Sequence, residues 1–101
     1  MLIWLNGGPG ASSETGFLAE NLGPQKIDSK GTLENNDAAL TKQGYHLFVI
    51  DNPVGSGYSY TSDESYVTSE EEMRTQFVYA LRQFFAMHKE FSKNPLWVTG
   101  E

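Results

Sequence analysis

The sequence predicts an α/β fold: a parallel sheet of about three strands with covering helices. Three observations carry that expectation. Leu2–Leu5 is a short apolar run without polar alternation, the pattern of a strand buried on both faces; His46–Ile50 is a second buried-strand candidate, and Leu96–Thr99 reads as a third strand. Loop and helix sequence separates them, and such alternation implies parallel pairing through right-handed crossovers. From Glu70 to about Phe91, apolar residues recur at three- and four-residue spacing, which is a helical period.

Each element has its own start and stop signals. Asn6-Gly7-Gly8-Pro9-Gly10 ends the first strand sharply. Ser12 and Ser13 are placed to cap a helix running to about Leu22, and Gly23-Pro24 closes it. Asp28-Ser29-Lys30-Gly31, flanked by Ile27 and Leu33, marks a small possible hairpin within Gln25 to Asn36. Asp51-Asn52-Pro53 ends the second strand, and Gly55-Ser56-Gly57 is loop. Before the long helix, Ser69 with Glu72 forms a capping box, and Glu70 and Glu71 suit the helix's positive end. Lys89 and Lys93 suit the other end. Met73, Phe77, Leu81, Phe84, Phe85 and His88 form its apolar stripe, which reads as core packing and not as a cofactor box.

The 101 residues fit one small domain or part of a larger one. With 39% hydrophobic and 13% aromatic residues, the chain is built to form a core. Its net charge of −6 argues against a nucleic-acid partner, since phosphate backbones are bound by Lys and Arg. Asp63, Glu64, Glu70, Glu71 and Glu72 read as a solvated loop and helix start. Having no cysteine, the chain can form neither a disulfide framework nor a thiolate metal site. His46 and His88 lack ligand spacing, and neither is assigned to catalysis. No apolar run is long enough to span a membrane, and no signal-peptide pattern opens the chain.

The loop Asn6 to Ser13 carries the chemistry. A buried strand that feeds a glycine-rich turn and then a helix leaves outward-facing backbone N–H groups able to hold negative charge. As a nucleotide-binding loop it fits poorly: Ser13 stands where a third glycine is needed, Pro9 removes a donor, and no Gly-Lys-Ser/Thr follows. As an oxyanion hole of the α/β-hydrolase type it fits well. There the loop after the third strand donates one N–H, and the residue after the nucleophile, on the turn after the fifth strand, donates the other. Val98-Thr99-Gly100-Glu101 is a strand running into the start of such a G-x-S-x-G turn, with the serine expected at the next position.

Four segments, in order, resemble the serine carboxypeptidase family: Trp4-Leu5-Asn6-Gly7-Gly8-Pro9-Gly10, Leu22-Gly23-Pro24, Phe48 through Asp51-Asn52-Pro53-Val54-Gly55 to Tyr60, and Val98-Thr99-Gly100-Glu101. Asp-Asn-Pro-Val-Gly is most similar to the vitellogenic-type members. The resemblance implies that the three strands are the third, fourth and fifth of an α/β-hydrolase sheet, with the third in the middle. It implies that Gly8 supplies an oxyanion-hole N–H, and that Asn6, Gly7, Glu20 and Glu101 form the site for the substrate's terminal carboxylate, supported by Trp4. Carboxylates facing a third one cannot all be ionised, so one holds and donates a proton, consistent with the family's preference for acidic pH.

The sequence departs from the family pattern at Ala11, where cysteine is usual, and at Asn21, which lengthens the run from Glu20 to Gly23-Pro24. Alone, Trp4 would be a core aromatic, Glu20 a solvated helix residue and Gly55-Ser56-Gly57 a turn; only the ordered set of motifs lifts them above that. Residues 1–101 are thus expected to be an interior part of a single carboxypeptidase domain, with the serine, aspartate and histidine of the triad elsewhere. The implied substrates are peptide or protein C-termini, with no metal or organic cofactor, and the implied compartments are lysosome, vacuole or the secretory route. The alternative is a non-catalytic binding module, truncated or a pseudoenzyme.

Overall fold

A computed structural model describes residues 1–101, the whole chain. Its centre is a three-stranded parallel sheet in the order β4 (Leu47–Val49), β1 (Leu2–Leu5), β5 (Trp97–Gly100). The expected strands are therefore all present, with the first in the middle. Ile3 stands beside Phe48 on one side and Val98 on the other, and Trp4 beside Val49 and Thr99. Because side chains alternate along a strand, these are two rows on opposite faces.

The two crossovers leave in opposite directions, from β1 to β4 and from β4 past β1 to β5. Right-handed connections then place their helices on opposite faces. The first carries α1 (Glu14–Leu18), under the Trp4 face, and the second carries α2 (Glu70–Met87), over the Ile3 face. On the latter side the Phe48 and Phe84 rings lie 4.5 Å apart, and Ile3 is fully buried. The cover stops short of β5, leaving Trp97 63% and Val98 58% exposed.

The possible hairpin is present: β2 (Gln25–Ile27) pairs antiparallel with β3 (Leu33–Asn35). Asp28 Oδ1 accepts the N–H groups of Lys30 and Thr32 at 2.8 Å, closing the turn. A short 3-10 turn, Leu40–Gln43, then leads into β4.

Both helices are shorter than the sequence indicated. Instead of running from Ser12–Ser13 to Leu22, α1 ends at Leu18, because the N–H groups of Leu22 and Gly23 turn back to Gly16 and Phe17 carbonyls and Asn21 takes φ 63°. Ser13 stands at the N-cap without capping through its side chain, since its hydroxyl accepts the Asn6 N–H at 3.1 Å. The α2 helix ends at Met87, and Lys89–Phe91 is a separate 3-10 turn. That break lets the Phe91 ring meet His46 at 4.9 Å, ahead of β4. Lys89 therefore lies beyond α2, whose last turn holds no basic residue.

At its start α2 is capped as its sequence indicated, with Ser69 Oγ accepting the Glu72 N–H at 3.2 Å. The Glu72 carboxylate reaches back to the Thr68 N–H at 2.7 Å, one residue earlier than in a standard capping box. Met73, Phe77, Leu81, Phe84 and Phe85 form a half-buried stripe, whereas His88 is exposed. No helix is long and apolar enough to cross a membrane.

Candidate functional site

The C-terminal ends of β1 and β5 lie side by side, with the chain after β1 departing toward β4. Such a divergence of loops leaves a crevice at the strand ends, where α/β sheets bind ligands. A recess of about 280 Å³ lies there, lined by Asn6, Gly7, Gly8, Ala11 and Glu101. Its floor is main chain. A Cβ on Gly7 would stand 2.5 Å from the Glu101 carbonyl oxygen, and one on Gly100 would stand 2.5 Å from that of Leu5. These two glycines allow the strand ends to approach, and the Glu101 N–H donates to Leu5 O at 3.2 Å. The N–H groups of Gly7 and Gly8 donate to nothing within the chain.

Behind the recess, the Asn6 side chain is held in one orientation. Its Oδ1 accepts the Trp4 indole N–H at 2.7 Å and the Gly16 N–H at 3.2 Å. Two donors on one atom require it to be the oxygen, which fixes the amide group's sense. Its Nδ2 donates to Glu20 Oε1 at 3.3 Å, leaving a second N–H for another acceptor. Gly16 is buried because α1 crosses the Trp4 ring closely: a Cβ there would overlap Trp4 Nε1 and stand 2.8 Å from Asn6 Oδ1.

The structure thus joins Trp4, Asn6 and Glu20 in one hydrogen-bonded row, and Asn6, Gly7, Gly8 and Glu101 around one recess. Asn6 belongs to both. Glu20 and Glu101 are exposed, and the Glu101 carboxylate makes no hydrogen bond to Asn6 or Glu20. Sequence reasoning missed Ser13 and Gly16, whose contacts with Asn6 span seven and ten residues and have no local signature. It also assigned no role to Asp51, which it named as a strand terminator and as part of a motif. Burial raises the Asp51 carboxyl, but bonds from the Tyr58 N–H, the Ser12 hydroxyl and the Ser13 N–H outweigh it and hold the group below the usual carboxylate range.

The serine carboxypeptidase family model matches residues 1–101. The chain belongs to that family. Pheromone-processing carboxypeptidase KEX1 of Pyricularia oryzae is 45% identical over 100 residues, covering 99% of this chain and 16% of that protein. Its namesakes from Sordaria macrospora and Neurospora crassa are 43% and 44% identical, each over 99% of this chain and 15% of their own length. The chain therefore spans about a sixth of these curated relatives. They support serine carboxypeptidase membership without singling out the vitellogenic-type branch, and the parallel sheet agrees with part of the family's α/β fold.

Proposed function

We propose that these residues form the carboxylate-binding and oxyanion-stabilising part of a serine carboxypeptidase that removes residues from peptide C-termini. The observation that carries it is the recess at the ends of β1 and β5, with two free N–H groups on its wall and a fixed Asn6 amide at its edge. The substrate's terminal carboxylate would accept the second Asn6 Nδ2 hydrogen and share a proton with Glu20 and Glu101. A serine on the turn after Glu101 would attack the last peptide carbonyl. The carbonyl oxygen, becoming anionic, would be received by the Gly8 N–H and by the N–H following the serine. The C-terminal amino acid would leave with a proton on its nitrogen, and water would then release the acyl group from the serine.

Residues 1–101 would thus be one portion of a single α/β-hydrolase domain and inactive alone. The related fungal proteins are named for pheromone processing, which supports peptide substrates. We place the parent protein in the family's compartments, the lysosome, vacuole or secretory route.

The test uses the full-length protein. Asn6→Ala and Glu101→Ala each remove a hydrogen bond to a charged group, about 1.5–3 kcal/mol. Turnover of peptides with a free C-terminus should therefore fall roughly 10- to 150-fold in kcat/KM, with their C-terminal amides much less affected. Equal losses on both substrates would remove these residues from carboxylate binding.

A further inference from the structure

Two loops meet at the end of the sheet, and one carboxylate joins them. Asp51 lies just beyond β4, and its Oδ1 accepts both the Ser12 hydroxyl and the Ser13 N–H at 2.7 Å, from the loop that follows β1. Its Oδ2 accepts the Tyr58 N–H at 2.8 Å, from the loop that follows β4. The Ser59 hydroxyl donates to the Asp51 carbonyl at 2.7 Å, and a Cβ on Gly57 would overlap the carboxylate, so this second loop wraps it closely. No lysine, arginine or histidine pairs with it; neutral donors alone hold the charge.

Ser13 links this carboxylate to the recess. It is fully buried, its N–H points to Asp51, and its hydroxyl accepts the Asn6 N–H at 3.1 Å. Between Asn6 and Ser13 the only other hydrogen bond within the loop runs from the Ala11 N–H to Gly7 O at 3.2 Å. The position of this loop relative to the sheet therefore depends on how Ser12 and Ser13 are tethered. Asp51 itself does not line the recess.

We propose, resting on the reading of the recess as a carboxylate-binding and oxyanion-stabilising site, that Asp51 is a positioning residue that sets where the Gly8 N–H and the Asn6 amide stand by clamping Ser12 and Ser13. Oxyanion donors act only when placed at hydrogen-bond distance from the oxygen of the transition state, and a misplacement of about 1 Å costs about a hundredfold in rate. Asparagine keeps the shape of Asp51 but turns an N–H₂ group toward one of the two donor sets, whichever way it faces.

The experiment compares Asp51→Asn and Ser12→Ala with wild type in the full-length enzyme. A serine-directed irreversible inhibitor titrates the active sites, so that kcat is expressed per competent site, and KM and Tm are measured alongside. The expected result for Asp51→Asn is a fall of about tenfold or more in kcat per titrated site, with KM rising no more than a few-fold. Ser12→Ala, which removes one of the three donors, should show a smaller fall in the same direction. Wild-type kcat per titrated site in both variants, even with a lowered Tm, would overturn the proposal by making Asp51 a mere brace. Should Asp51→Asn fail to fold, Ser12→Ala decides by the same criterion. Asn6→Ala serves as the control on the underlying reading. If it does not selectively impair free-carboxylate peptides, that reading fails; if it does and kcat per site is unmoved at Asp51 and Ser12, only the positioning role fails.

Discussion

Replacing Gly16 by alanine in the full-length enzyme probes the contact on which the Asn6 orientation rests. By helix propensity alone, alanine inside α1 should stabilise by about 1 kcal/mol. The structure reverses that sign. The new Cβ would overlap Trp4 Nε1 and stand 2.8 Å from Asn6 Oδ1, so α1 must back away from β1. Overpacking of this kind costs about 1–3 kcal/mol. The shift also weakens the two hydrogen bonds to Asn6 Oδ1, from Trp4 and from Gly16 itself, each contributing about 1 kcal/mol. The net expectation is a destabilisation of about 2–4 kcal/mol, read as a lowered denaturant midpoint at unchanged slope. KM for peptides with a free C-terminus should rise with it, because the Asn6 amide is no longer fixed. A Gly16→Ala variant as stable as wild type, with unchanged KM, would refute the reasoning.

A polypeptide of residues 1–101 should release no amino acid from a blocked dipeptide; release that a serine-directed inhibitor abolishes would contradict the proposed division of the catalytic groups. The same polypeptide should associate with rising concentration and bind dyes for apolar surface, because both sheet edges are unpaired and Leu96, Trp97 and Val98 are exposed. A monomer with a sharp two-state thermal transition would show instead a domain that stands alone. In the loop after Tyr60, the Asp63 carboxylate accepts the Ser65 hydroxyl, the Thr61 hydroxyl and the Ser65 N–H, and is held down to about 2 from an ordinary 3.8. A depressed folded pKa means that ordering is present above the ordinary value and lost as pH falls through the folded one. NMR shifts of residues 61–65 should therefore titrate with a midpoint near pH 2 and not near 3.8, and Asp63→Asn should abolish that step.

The sheet was legible because its signals are local. Leu2–Leu5 and the strand before Gly100-Glu101 are short apolar runs closed by glycine, and the order of motifs implied which strand lies in the middle. Asn6, Gly7, Gly8 and Glu101 were singled out through the family resemblance, and the strand ends beside them explain why they border one recess. The length of α1 was not legible, because it ends where the Leu22 and Gly23 N–H groups turn back to the Gly16 and Phe17 carbonyls, and the ties of Ser12 and Ser13 to Asp51 and Asn6 were equally hidden. Those bonds join residues up to 39 positions apart, and no periodicity records them. The end of α2 was hidden likewise: the apolar period continues through Phe91, while the ring that interrupts the helix belongs with His46. Exposure of β5 could not be read from an apolar run, which reports what a strand is fit to bury and not what covers it.

The paired glycines beneath the recess limit how such a site can diversify. A methyl group on Gly7 would press on the Glu101 main chain, and one on Gly100 on that of Leu5, so neither position can take a side chain while the two strand ends stay this close. In the proposed roles, Asn6 and Glu101 are engaged with the carboxylate, and Gly8 is needed for its amide. Of the five residues bordering the recess, only Ala11 then remains as a place where size and polarity can vary without removing a binding group. Selectivity for the departing residue would have to be tuned from that one wall and from whatever loops close over the opening, while the main-chain floor stays common to every variant.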